Sequence, residues 1–252
     1  MTITLLLLCT AGFFGALVDS IAGGGGIITV PAFLMAGVPP HIALGTNKFA
    51  STCASFTSSV KFATSSKVDF KLIKILAPFT IIGAVLGVNS VLAVNGGFLN
   101  TVVLILLTLV GLYSLFSKTV GVNDNFKGLN KKNIVSGIFL AIGLGFYDGF
   151  FGPGTGSFLI FGMIGVYGFD FVRAGGNGKV LNFLSNITSL IVFAFNFQIN
   201  YSIGIPVALS MILGARFGTT LALNKGAKLM KPIFVTMSLG VAVKMLYGIL
   251  SK

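Results

Sequence analysis

Two stretches of the chain carry the same arrangement of one acid and several glycines: Asp19-x-x-x-Gly23-x-Gly25 near the start and Asp148-x-x-x-Gly152-x-Gly154 past the middle. The glycines Gly23, Gly24, Gly25 and Gly26, and Gly152, Gly154 and Gly156 with Thr155 between them, let a ligand approach the backbone closely. A helix that begins at such a break adds unpaired N–H groups and the positive end of its dipole. This is chemistry for holding an anion. Lys48 and Lys179 add positive charge within apolar surroundings, Asn47 and Asn177 add amide donors, and Thr46 adds a hydroxyl. Together these residues form the candidate substrate-binding set. Asp19 and Asp148 are the gating or proton-coupling candidates, because an intramembrane acid faces a cavity or a partner and loss of water favours its neutral form. A nearby lysine would instead make each acid structural. The plainer reading of the glycines is tight helix packing, which fits Gly83, Gly87, Gly214 and Gly218. The plainer reading of the lysines is snorkelling or pairing.

The elements that position these residues are apolar runs of helical length: residues 2–21, 41–63, 75–94, 98–116, 134–151, 180–197, 203–223 and 233–250. Of the 252 residues, 55% are hydrophobic and 9% charged, against about a quarter charged in a soluble domain. A helix of about 20 residues crosses the hydrocarbon, so the chain is predicted to be an all-α polytopic membrane protein. The first run has neither a basic n-region nor an A-x-A-like cleavage site, so it is expected to stay as a permanent helix.

Basic residues mark cytoplasmic loops. They cluster in 61–74, 117–133 and 224–231, whereas 94–97 and 198–202 carry no charge. Alternation between these sides requires an odd number of crossings per half. The short apolar stretches 27–37 and 157–167 must supply the missing ones. At about 16 Å of helix each they are too short to span about 30 Å, so they are expected to be broken or to face a cavity.

The reading is therefore two inverted-topology repeats with about eight long transmembrane helices and two short ones, and both termini outside. Residues 1–116 form the first repeat, 117–133 a cytoplasmic linker loop, and 134–252 the second repeat. Further matches support the duplication. Asn47 pairs with Asn177 at an offset of 130 residues, Val68-Asp69-Phe70 with Ile199-Asn200-Tyr201 at 131, and Gly83-Ala84-x-x-Gly87 with Gly214-Ala215-x-x-Gly218 at 131. Inverted repeats that bring glycine-interrupted helices to the bilayer midplane are the pattern of secondary transporters.

Three stretches carry a resemblance: Val18-Asp19-Ser20-Ile21-Ala22-Gly23-Gly24-Gly25-Gly26, Ala43-Leu44-Gly45-Thr46-Asn47-Lys48, and Gly145-Phe146-Tyr147-Asp148-Gly149-Phe150-Phe151-Gly152-Pro153-Gly154-Thr155-Gly156. They resemble the TauE/SafE family of membrane transporters, along nearly the whole chain. The resemblance implies a multi-pass permease of the bacterial inner membrane, and associates it with export of sulfite and related organosulfur anions.

Other functions find little support. The net charge of +12 is spread over short loops, with no basic, aromatic-interleaved face for nucleic acid. Cys9 and Cys53 lie in apolar runs without metal-ligand spacing, and the single histidine, His41, is expected in a loop. Gly176-Asn177-Gly178-Lys179 ends in Val180 where a phosphate loop needs Ser or Thr. No nucleophile–base pair is evident, so no enzyme, metal or cofactor is expected. Arg173 and Asp170 read as orientation signals, and Arg216 as snorkelling or lining the path. The partners expected are a small anionic substrate and the lipid bilayer, with a homo-oligomer left open. An anion channel, a non-transporting scaffold and a membrane-embedded enzyme remain the alternatives to a permease.

Overall fold

The computed structural model describes residues 2–99, 102, 105, 121 and 123–225. The predicted run 98–116 lies mostly outside them, and the predicted run 233–250, with Lys244 in it, lies entirely outside. Among the described residues eight helices follow one another: α1 (Thr2–Ala22), α2 (Gly26–Met35), α3 (Pro40–Thr64), α4 (Phe70–Leu92), α5 (Lys131–Phe150), α6 (Thr155–Tyr167), α7 (Phe171–Phe195) and α8 (Tyr201–Lys225). No strand occurs among the described residues. Helices α1, α4, α5, α7 and α8 are long and apolar enough to cross a membrane, whereas α2 and α6 are short apolar helices. Helix α3 has 25 residues and a buried polar face that lowers its hydropathy. Many large apolar side chains of the long helices are exposed, among them Leu6, Ile82, Phe139 and Phe217, as a lipid-facing surface requires.

Caps explain why some helices begin before their apolar runs. Asp69 accepts from the N–H groups of Lys71 and Leu72, so α4 starts at Phe70. Asp170 accepts from Val172 and Arg173, which starts α7 at Phe171 and carries Lys179 on a helix. Asn130 and Asn133 form a reciprocal capping box at the start of α5, satisfying donors that the first turn leaves open. His41 lies in the first turn of α3, not in a loop, and its Nε2–H donates to the Val91 carbonyl at 3.0 Å.

Among the described residues the most extensive helix interfaces are α4 with α5 and α1 with α8. Each is built on small residues. Gly83 and Gly87 of α4 rest on main-chain atoms of Ile142, Phe146 and Phe150, and Gly214 and Gly218 of α8 rest on those of Phe13 and Leu17. In both pairs the residue numbers rise together, so the helices run parallel. Helices α3 and α7 run antiparallel: Ser59 donates to the Lys179 carbonyl at 2.9 Å while Lys48 donates to Asn186 at 3.0 Å.

One end of this bundle holds the charged loops. Lys61 donates to Thr220, Gly176 packs under the Lys67 carbonyl, and Arg173 bridges Asp69 at 3.4 Å and Asp124 at 3.1 Å. The Arg173 guanidinium also lies 4.5 Å from the Phe126 ring centre and 4.3 Å from that of Phe169. At the other end the described loop residues carry no charge: Gly45 packs under the Gln198 carbonyl, and Asn200 N–H donates to Thr46 at 2.9 Å.

Candidate functional site

The two glycine breaks meet. Helix α1 stops where Gly23 takes φ 84°, and its N–H still donates to the Asp19 carbonyl at 2.9 Å. Helix α5 stops at Phe151, and Gly152 and Gly154 take φ 98° and 86°. Tyr147 Oη–H donates to the Pro153 carbonyl at 2.6 Å, and Thr155 closes the turn by donating to the Gly152 carbonyl at 2.7 Å. Ser157 N–H donates to the Gly23 carbonyl at 3.0 Å, and Ser157 Oγ–H to the Ala22 carbonyl at 2.7 Å. A Cβ on either Gly23 or Gly156 would collide with the other's backbone.

Two ion pairs cross the same interface. Lys48 on α3 lies 2.9 Å from Asp148, at the end of α5. Lys179 on α7 lies 2.5 Å from Asp19, at the end of α1. Each acid thus pairs with the lysine of the other half of the chain, and the four charges cancel. The two pairs differ in cover. Asp148 is 2% exposed against 22% for Asp19. Asp148 also accepts from Ser185, and from Asn182 at 3.5 Å, whereas among the described residues the Asp19 carboxylate accepts only from the Gly25 N–H at 3.3 Å besides its lysine.

A small polar cavity opens between them. Asp19, Gly25, Gly26, Asn47, Lys48, Asp148, Gly152 and Gly156 line it, with Ser51, Asn182, Asn186 and Met211. The space open to water centres is ≈ 20 Å³, enough for about one water. Among the described residues none accepts from the main-chain N–H of Gly26 or Gly156, so the cavity wall carries main-chain donors beside its side chains.

The remaining candidates lie outside this wall. Lys179 stands behind Asp19. Gly23, Gly24, Gly154 and Thr155 shape the breaks. Thr46 and Asn177 sit at opposite ends of the bundle, where Thr46 accepts from Asn200 N–H and Asn177 accepts from Asp69 N–H at 2.9 Å. The two asparagines therefore do not make like contacts: Asn177 accepts a main-chain N–H as Thr46 does, and Lys179, like Lys48, meets an acid. Arg173 and Asp170 do more than mark orientation, since one clamps the linker and the other caps α7. Ser51, Asn182, Asn186 and Met211 are the cavity residues that the motifs miss. Ser51 lies three residues after Lys48, and Asn182 and Asn186 lie three and seven after Lys179, so helical periodicity puts them on the lysine faces. Among the described residues no group of acids, histidines and cysteines could hold a metal ion.

Paired, broken helices around a buried polar cavity, inside a bundle with an apolar exterior, define a multi-pass helical membrane protein. Residues 8–245 match the family described as sulfite exporter TauE/SafE. A Haemophilus influenzae protein named as a probable membrane transporter is 35% identical over 96% of this chain and 94% of its own. A Sinorhizobium relative, probable membrane transporter protein ORF9, is 37% identical over 96% and 92%. Escherichia coli YfcA, also named as a probable membrane transporter, is 35% identical over 94% and 86%. The chain belongs to the TauE/SafE family of membrane transporters. No solved structure matches it.

Proposed function

We propose that the chain is a secondary transporter that exports a small anion, a sulfur oxyanion or an organosulfonate, by alternating access. The observation that carries this reading is the pair of crossed Lys–Asp bridges around a donor-lined cavity where two glycine breaks meet. The family description, sulfite exporter, favours sulfur oxyanions within the class of small anions.

The matched contacts favour two inverted repeats. Parallel pairing of α1 with α8 and of α4 with α5 follows if the first and last described helices of each half exchange partners across a pseudo-twofold axis. The basic end of the bundle is then cytoplasmic, which puts α1 entering from outside and the protein in a bacterial inner membrane with its N-terminus outside.

Lys48 and Lys179 are already neutralised, so an anion gains their charge only by replacing a carboxylate. Lys48 is eight residues from Pro40 and Lys179 is eight from Phe171, about 12 Å of helix in each case. Because α3 and α7 are antiparallel, the two pairs lie toward opposite faces of the membrane. They serve as two gates in series, the Lys48–Asp148 pair on the outer side and the Lys179–Asp19 pair on the inner side. The better exposed Asp19 is the one that yields first. A cavity that admits about one water favours a carrier, whose walls must part for substrate, over a standing channel. Across a membrane negative inside, each exported negative charge gains about 2.3 kcal/mol per 100 mV, so export needs no coupled ion.

A thermal-shift screen in detergent tests the substrate class. Sulfite, thiosulfate or sulfoacetate should raise the melting temperature; stabilisation by cations or neutral solutes alone would end the anion reading.

A further inference from the structure

We propose that Thr29 is a positioning residue that holds the Asn47 amide with its NH2 end toward the cavity, and so gives the site its preference for anions. This deepens the transport reading above and rests on it. Thr29 lies in the first turns of α2 and is 2% exposed; Asn47 lies on α3 and is 5% exposed. Their contact, from Thr29 Oγ1 to Asn47 Oδ1, is 2.6 Å. That length belongs to an O–H···O bond, since N–H···O bonds centre on about 2.9–3.0 Å. The threonine hydroxyl has one proton, and the other oxygen within its reach, the Gly25 carbonyl, is at 3.4 Å. The proton therefore points to Asn47 and fixes which end of the amide is its carbonyl.

The consequence is felt in the cavity. Asn47 is part of its wall, and Nδ2 has no partner among the described residues. It is also not among the sealed side-chain atoms that lack a partner, so it opens onto the cavity. It offers two N–H donors beside Lys48 and the free N–H of Gly26. A flipped amide would present its carbonyl there and repel the same ligand. The device is one-sided. At the register that matches Lys48 with Lys179, the position of Asn47 is taken by Gly178, which faces Leu159 Cβ and offers no side-chain donor. At this pair of positions the side-chain donor therefore comes from the first half only.

The test is sulfite flux into proteoliposomes by the full chain and three variants. Thr29→Val keeps the shape and removes the proton. It should raise the KM for sulfite roughly tenfold or more, the worth of a hydrogen bond to a charged group, and leave the maximal rate within about twofold on the same grounds. Thr29→Ser should restore the wild-type KM. Asn47→Asp keeps the bond from Thr29 and replaces the NH2 by an oxygen, so it should abolish sulfite binding in thermal shift even if Thr29→Val does not fold. A wild-type KM in Thr29→Val, a fall in maximal rate at unchanged KM, failure of Thr29→Ser to restore, or wild-type sulfite binding by Asn47→Asp would each overturn the proposal. If the wild type moves none of sulfite, thiosulfate and sulfoacetate, the transport reading falls and takes this inference with it. If the wild type moves them and Thr29→Val behaves as wild type, only the inference falls.

Discussion

The carbonyl of Gly23 accepts a hydrogen bond from the main-chain N–H of Ser157 at 3.0 Å, so the break after α1 and the break before α6 are joined backbone to backbone. No side chain fits between them, since a Cβ on Gly23 would meet Gly156 and Ser157, and Gly23 also has φ +84°. Gly23→Ala should therefore destabilise the protein by at least ~1 kcal/mol, the scale for alanine forced to positive φ, with the collision added. Gly24 is the control. A Cβ there would find Ile27 Cδ1 at 3.6 Å and Ser157 Oγ at 3.8 Å, ordinary contacts. Melting in detergent should separate the two variants clearly, and equal melting temperatures would contradict the close approach.

The two ion pairs should not be equivalent. Asp148 is sealed and held by Lys48, Ser185 and Asn182, so Asp148→Ala strands a buried ammonium. Removing one partner of a buried pair costs about 3–5 kcal/mol. Asp19 is 22% exposed, so water replaces part of what Lys179 loses in Asp19→Ala, and the loss should be smaller. The ranking is read from thermal melts of the two variants, and the opposite order would show that exposure does not set the strength of these pairs.

Much of this arrangement was legible in the sequence. The acid–glycine motifs located both breaks, and the spacing of apolar runs gave the short helices within a few residues of Gly26–Met35 and Thr155–Tyr167. Lysine placement separated the two ends of the bundle. The crossing of the pairs was not legible: nothing local tells Lys48 to choose Asp148 over the acid in its own half, because that choice is made by how α3 and α5 each pack on α7. The unlike contacts of the two asparagines were not legible for a related reason. Asn47 and Asn177 share a residue type, but their places are set by their neighbours, Thr29 for one and the start of α4 for the other. The starts of α4 and α7 ran ahead of their apolar runs because Asp69 and Asp170 cap polar first turns.

The sidedness can be read with an impermeant thiol reagent on intact and everted membrane vesicles. In a background of Cys9→Ala and Cys53→Ala, Lys71→Cys should react only from the cytoplasmic face and Asn196→Cys only from the opposite face. Both positions are exposed. Labelling of both from one face would contradict the placement of the basic and the uncharged ends on opposite faces of the membrane.

The gating role predicts a further labelling result in the same background. Ser51→Cys sits on the cavity wall and should be shielded in the resting protein. Asp148→Asn, which weakens the outer pair, should increase its reaction from outside, and Asp19→Asn should increase it from the cytoplasm. The same face responding to both changes would contradict two gates in series.

The most direct test is flux of a small sulfur oxyanion into proteoliposomes under an inside-positive potential, compared between the wild type and Lys48→Gln. Sulfite movement should be saturable, rise with the potential in the wild type and be lost in Lys48→Gln, whose folded state is checked by monodisperse elution. Sulfite flux of equal size from a folded Lys48→Gln protein, or movement of cations and neutral solutes alone by the wild type, would contradict the proposed function.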